Sequence, residues 1–176
     1  GDADPVFAYT VTGLKNNEEV SDILSGLLSR AEGETVGSYA IEQGTLSTTA
    51  NYDINFTGAV FEITKATLTI TATANQTKVY GDADPVFAYT VSGLKNNDTD
   101  TVVTGALSRV GGETVGSYAI EQGTLVATAD YDITFNSADF EIIKATLTIS
   151  ADANQTKVYG ELDPILGYTV SGLKNN

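Results

Sequence analysis

The sequence predicts a mostly-β protein built from tandem copies of one module, and three observations carry that prediction. Gly1 to Val11 reads GDADPVFAYTV, returns unchanged at Gly81 to Val91, and returns again, diverged to GELDPILGYTV, from Gly160. A fixed period overrides the domain count that length alone would suggest. The composition is that of strands and turns: Thr, Ala, Gly, Tyr and Val recur, while Cys, His, Met and Trp are absent. Apolar and polar residues also alternate with period 2 through most of each copy, as half-buried strands require.

The copies are spaced by 80 and 79 residues, and the one-residue difference falls in the variable stretch from Lys15 to Gly26. GETVGSYAIEQGTL stands at Gly33 to Leu46 and again at Gly112 to Leu125, and ATLTI follows both Lys65 and Lys144. FEITK and FEIIK read as closing strands and ATLTITATANQTKVYG as an opening strand running into a turn. The unit is therefore cut after those lysines. Residues 66–144 form a complete repeat, residues 1–65 a repeat lacking its first strand, and residues 145–176 the beginning of a third.

Within the complete unit the opening strand places Leu68, Ile70 and Ala72 on one face and Thr67, Thr69 and Thr71 on the other. The Asp84-Pro85 step holds its first residue extended, and Phe87, Tyr89 and Val91 alternate after it. Tyr118 and Ile120, then Tyr131, Ile133 and Phe135, then Phe140 and Ile142 continue the pattern, with turns at Gly81, Gly93, Gly116 and Gly123. The predicted core is Leu68, Ile70, Tyr89, Val91, Tyr118, Ile120, Ile133, Phe135 and Phe140. One stretch has helical spacing, Asn17 to Leu28, with Asn17 as a cap, Glu18 and Glu19 in a first turn and apolar Val20, Ile23, Leu24 and Leu27. Its counterpart NNDTDTVVTGAL is rich in β-branched residues, which propagate a helix poorly. A short helix or turn is expected there.

The 9 basic and 23 acidic residues leave a charge of −14, which repels nucleic acid and anionic membranes. Hydrophobic residues make up 41%, a globular content, and no stretch approaches the roughly 18 apolar residues that span a bilayer. With no His and no Cys, catalysis would fall to carboxylate pairs or a Ser-Lys arrangement. The pairs available, Asp53 with Glu62 and Asp132 with Glu141, sit on the polar face of alternating strands, where solvation explains them. No enzyme is expected.

The residues KVYGDADP, a tyrosine-bearing strand, a Gly-Leu step, the triplets Leu28 to Arg30 and Leu107 to Arg109, and VGSYAI together resemble the MBG domain, the mostly β-grasp module of YGX type. The resemblance covers essentially the whole chain, with the Tyr-Gly step at Tyr80-Gly81 and Tyr159-Gly160, and the third copy departs at Glu161, Leu162 and Gly167. It implies β-grasp-like modules in tandem within large bacterial proteins that are secreted or held at the cell surface, often adhesins. That family brings no active site.

Other chemistry stands beside plainer explanations. Asp82 and Asp84, or Asp98 and Asp100, place oxygen ligands at alternate positions of turns, as calcium would need; Asp also favours turns through its own backbone hydrogen bonds, and no cofactor is otherwise implied. Lys78, Lys144 and Lys157 could enter a Lys-to-Asn crosslink, which needs a buried acid nearby. Asn55, Asn75, Asn97 and Asn154 open glycosylation sequons that a Thr-rich chain produces by chance. Tyr80, Tyr89, Tyr118 and Tyr131 read as core residues with hydroxyls at the rim rather than as a sugar platform.

With no site demanded, function falls to the array: a structural stalk or fibre repeat of a surface adhesin, acting as a spacer in an extended rod whose partners are neighbouring repeats, head to tail. The joint FEI-(T/I)-K-ATLTI has no Gly, Pro or Ser-rich tract, unlike a flexible linker. The alternative is a repeat that itself grips a glycan, protein or surface through its Thr face, possibly with calcium. A flat exposed Thr ladder favours that alternative, and a covered one the spacer. The incomplete terminal pieces are complementary, so two arrangements are expected: strand complementation between molecules, or, in a longer continuous chain, the same junction made covalently by the next repeat.

Overall fold

The structure, a computed structural model, describes residues 1–174. It is mostly β, as the alternation predicts. Its elements are a one-turn helix α1 (Val20–Ile23), then β1 (Leu24–Ser25), β2 (Ser29–Arg30), β3 (Gly37–Glu42), β4 (Ser47–Thr48), β5 (Ala59–Ile63), β6 (Ala66–Ala72), β7 (Gln76–Val79) and β8 (Tyr89–Ser92). A 3-10 turn (Asp100–Val102) precedes β9 (Val103–Thr104), β10 (Ser108–Arg109), β11 (Gly116–Glu121), β12 (Val126–Ala127), β13 (Tyr131–Asn136), β14 (Asp139–Ile143), β15 (Thr148–Ala151) and β16 (Tyr168–Ser171).

The chain gathers into two compact units. Unit 1 holds Gly1–Leu68, Ser92–Val103 and Ala127–Thr134; unit 2 holds Thr69–Val91, Thr104–Val126 and the residues from Phe135 on. Compactness and repetition therefore divide the chain differently, each unit taking residues from adjacent copies.

In unit 1, β2, β3 and β5 form an antiparallel sheet with Tyr39 opposite Phe61, and β1 pairs with β4. In unit 2 the order is β10-β11-β14-β7: β14 runs antiparallel to β11, with Phe140 opposite Tyr118, and parallel to β7, with Phe140 opposite Gln76. β15 and β16 form a separate antiparallel hairpin whose residues are all exposed. β6 is the middle strand of a three-stranded sheet, order β13-β6-β8.

Strand parity holds along β6, where Leu68, Ile70 and Ala72 are buried. Ile120 and Phe140 are likewise sealed, and the Phe87 ring meets Phe140 edge-on at 5.1 Å, each such side chain contributing about 1.5–3 kcal/mol by burial. Tyr89, Val91, Ile133 and Phe135 face as predicted but are only half-buried, because β8 and β13 are the edges of their sheet. The helix shrinks to one turn. Asn17 does not cap it: Asn16 and Asn17 both adopt positive φ in a tight turn closed by Glu18 N–H donating to Lys15 O at 3.1 Å, and the cap position falls to Glu19.

Candidate functional site

The charged residues of the repeat signature converge on one cluster in unit 2. Arg109, on β10, is drawn under β11 and β14, where its guanidinium lies 5.1 Å from the centre of the Tyr118 ring and 5.5 Å from that of Phe140. Its side chain is 5% exposed, so burial demands that every donor be used. All five are. Nε donates to Asp84 Oδ2 at 2.8 Å and Nη2 to Asp84 Oδ1 at 3.0 Å; Nη2 also donates to Glu113 Oε1 at 2.6 Å, and Nη1 to the carbonyls of Val110 and Gly112. Lys78, on β7 and 4% exposed, sets its ammonium 2.6 Å from Asp84 and 2.5 Å from Glu113. Two cations thus share two carboxylates.

The titration shifts follow from that sharing. Hydrogen bonds from Arg109, and then from Lys78, hold the Asp84 carboxyl below its ordinary range. Lys78 and then Arg109 do the same for Glu113, while Asp84 and then Glu113 push the Lys78 ammonium upward. Lys78 is held charged, whereas amide formation would need a neutral amine. Unit 1 repeats the arrangement without a lysine: Arg30 lies 5.0 Å from the Tyr39 ring centre and donates to Asp4 at 2.6 Å and to Glu34 at 2.7 Å.

Of the residues considered for calcium, Asp84 belongs to this cluster and Asp82 pairs with Lys174 at 2.7 Å. Asp98 accepts the Tyr131 hydroxyl at 2.7 Å, and Asp100 opens the 3-10 turn. No three potential ligands gather among the described residues. Tyr131 is buried, and its hydroxyl also receives Lys95 N–H at 2.9 Å, so it anchors the Lys95-Asn96-Asn97 turn. Tyr52 receives Lys15 N–H in the same way and donates to Glu18. Of the carboxylates weighed for catalysis, Asp132 pairs with Lys65 at 2.9 Å.

A second recurring contact joins successive copies. Within unit 1, Lys95 reaches back to Asp2 at 2.6 Å, and a Cβ added at Gly1 would lie 2.6 Å from Lys95 Cβ. Within unit 2, Lys174 reaches back to Asp82, and a Cβ added at Gly81 would lie 2.4 Å from Lys174 Cβ. The Gly-Asp step of one copy thus lies against the lysine of the next, twice. The sequence carries this signal as a glycine and an aspartate kept in register with a lysine about one repeat further on, a pairing that period-2 analysis does not test.

The whole chain is covered by one family comparison: the model of the MBG domain (YGX type) matches residues 1–62, 68–141 and 147–176. The chain belongs to this family. No curated protein and no solved structure matches it at a significant level. The MBG signature therefore acquires a physical content in this chain, since Lys78, Asp84 and Arg109, letters of that signature, join Glu113 of the repeated GETVGSYAI stretch in one ion cluster. MBG domains are repeat modules of surface proteins and are typical of extracellular ones; among the described residues no helix is long and apolar enough to cross a membrane.

Proposed function

We propose that these MBG domains act as a spacer, a stalk or fibre segment of a large bacterial surface adhesin that carries binding functions elsewhere. The observation that supports this reading is the repeated seat between copies, Gly1-Asp2 against Lys95 and Gly81-Asp82 against Lys174. A contact formed the same way at successive joints stacks copies in a regular series, each touching its neighbours, as in other repeat arrays. The clustered charges act within the fold: Asp84, Glu113, Lys78 and Arg109 neutralise one another, which supports an architectural role for them.

The Thr face supports the same reading over the binding alternative. In the middle copy Thr67 is exposed, but Thr69 and Thr71 are half-buried, and Thr71 Oγ1 accepts the Asn136 amide at 3.1 Å. That ladder is partly covered, which favours the spacer reading. The test is to vary the number of copies in the parent surface protein while measuring adhesion of the cells that carry it. Adhesion should depend on copy number and be unchanged when the exposed threonines Thr67 and Thr90 are replaced by Ser or Ala. Loss of adhesion on those replacements at constant copy number would move the binding function into the repeats.

A further inference from the structure

The chain passes from the first copy to the middle one by leaving β5 at Ile63 and entering β6 at Ala66, so two residues, Thr64 and Lys65, make the crossing. Rotation about the backbone bonds of two unrestrained residues is enough for a hinge. The restraints come from the middle copy, at the start of β13. Asp130 Oδ1 accepts the Val36 N–H of the first copy at 2.7 Å, and Asp130 O accepts the Ala66 N–H at 3.0 Å. Two residues on, Asp132 pairs with Lys65 at 2.9 Å. All of these residues belong to unit 1.

Val36 lies at the end of the first copy's sheet from which β5 departs, because Gly37 stands opposite Ile63 in the β3-β5 ladder. Asp130 therefore straddles the crossing: its carboxylate holds the first copy on one side of Thr64-Lys65, and its carbonyl holds the middle copy on the other. The covalent chain alone leaves the copies free to swivel, and a bond set to one side of it removes that freedom. The ion pairs at the same joint grip less. Lys65 and Asp132 are 44% and 70% exposed, Lys95 and Asp2 41% and 84%, and exposed pairs contribute little and are screened by salt. Asp130 is half-buried, and a carboxylate on a backbone N–H is a charge-assisted bond whose donor needs no long side chain to be ordered. The same letters recur one copy apart: Val36 and Val115, Lys65 and Lys144, Asn51-Tyr52-Asp53 and Asp130-Tyr131-Asp132. Asn51 keeps an acceptor oxygen without the charge, so the acceptor is what repeats.

We propose that Asp130 locks the joint between successive copies, as the docking point for the Val36 end of the copy before it. It acts beside the contact of Gly1-Asp2 with Lys95 and, unlike the exposed ion pairs, it holds at high salt. The proposal rests on the spacer reading for its purpose, since a fixed joint is what a spacer needs, and it names the side chain that fixes the joint.

The test uses the 176-residue chain, which has no cysteine of its own, with spin labels on Ala40→Cys in β3 and Thr134→Cys in β13, both exposed positions. The distribution of distances between the labels should be narrow and should stay so from low salt to about 0.5 M, where exposed ion pairs are screened. Asp130→Ala should broaden it and speed hydrogen exchange of the Val36 amide by about tenfold or more. The Ala66 amide, bonded to a backbone carbonyl that this substitution keeps, should hold its protection and so report that β6 is still folded. Asp130→Asn should restore both readings, and Asp132→Ala should leave both as in the parent. Broadening with salt in the parent, or an Asp130→Ala variant with parental distances or parental Val36 exchange, would overturn the proposal. If Asp130 proves to hold the joint while adhesion ignores copy number, the spacer reading fails and the lock stands.

Discussion

At the scale of single residues, Arg109 shows how a charge can be buried without loss. A guanidinium between two aromatic rings is stable only with its donors satisfied, and the chain meets that need with two carboxylates and two turn carbonyls. The consequence is a pH dependence whose sign can be worked out. Asp84 titrates below its ordinary value in the folded protein, so its contribution is complete above the unfolded carboxyl pKa of about 3.9 and disappears as pH falls through the lower folded value. Acidification toward the sequence pI of about 4.1 also relieves the self-repulsion of a −14 chain, so the two effects oppose each other and must be separated by difference. The melting temperature of Asp84→Asn should lie below that of the parent near neutral pH, and the gap should narrow below about pH 4. A gap that is constant with pH would mean that Asp84 acts by shape rather than charge. None of this cluster was legible as such: the sequence offered Asp84 as a turn residue or a calcium ligand and Lys78 as one of three lysines for a crosslink, because Arg109 lies 25 residues from Asp84 and Glu113 lies 35 residues from Lys78.

At the scale of elements, period-2 alternation gave the long strands and their inward faces, β6 most clearly, since its two faces differ in every residue from Thr67 to Ala72. The two-residue strands β1, β2, β4, β9, β10 and β12 span too little chain for any period to register. The parallel pairing of β7 with β14 was equally hidden, because a crossover leaves no turn motif between the strands it joins. Tight turns, by contrast, announce themselves through glycine. Gly105 has φ +98° and a Cβ there would lie 2.3 Å from the Thr124 carbonyl oxygen, as one at Gly26 would lie 2.2 Å from that of Thr45. Both the backbone region and the space exclude a side chain. Gly105→Val should destabilise the middle copy by roughly 2 kcal/mol or more, read as a lowered denaturation midpoint with unchanged slope. A shift within about 0.5 kcal/mol, the range of an ordinary surface substitution, would show that the turn relaxes around the added methyls.

At the scale of the whole molecule, recognising the repeat from GDADPVFAYTV set the family, and the family comparison agrees over three segments. The contact that links copies was not legible, because it pairs a glycine turn with a lysine about 92 residues on, and a joint was sought only in the linker that covalently connects the copies. The central claim is that these contacts hold successive copies in a regular series and that the array is a spacer. Its most direct test is small-angle scattering from arrays of two, four and eight copies. Fixed joints predict a maximum dimension that grows linearly with copy number, by roughly 30–40 Å per copy for compact modules of this size, at low and at moderate salt alike. Growth with the square root of copy number, the behaviour of beads on a flexible string, would contradict it.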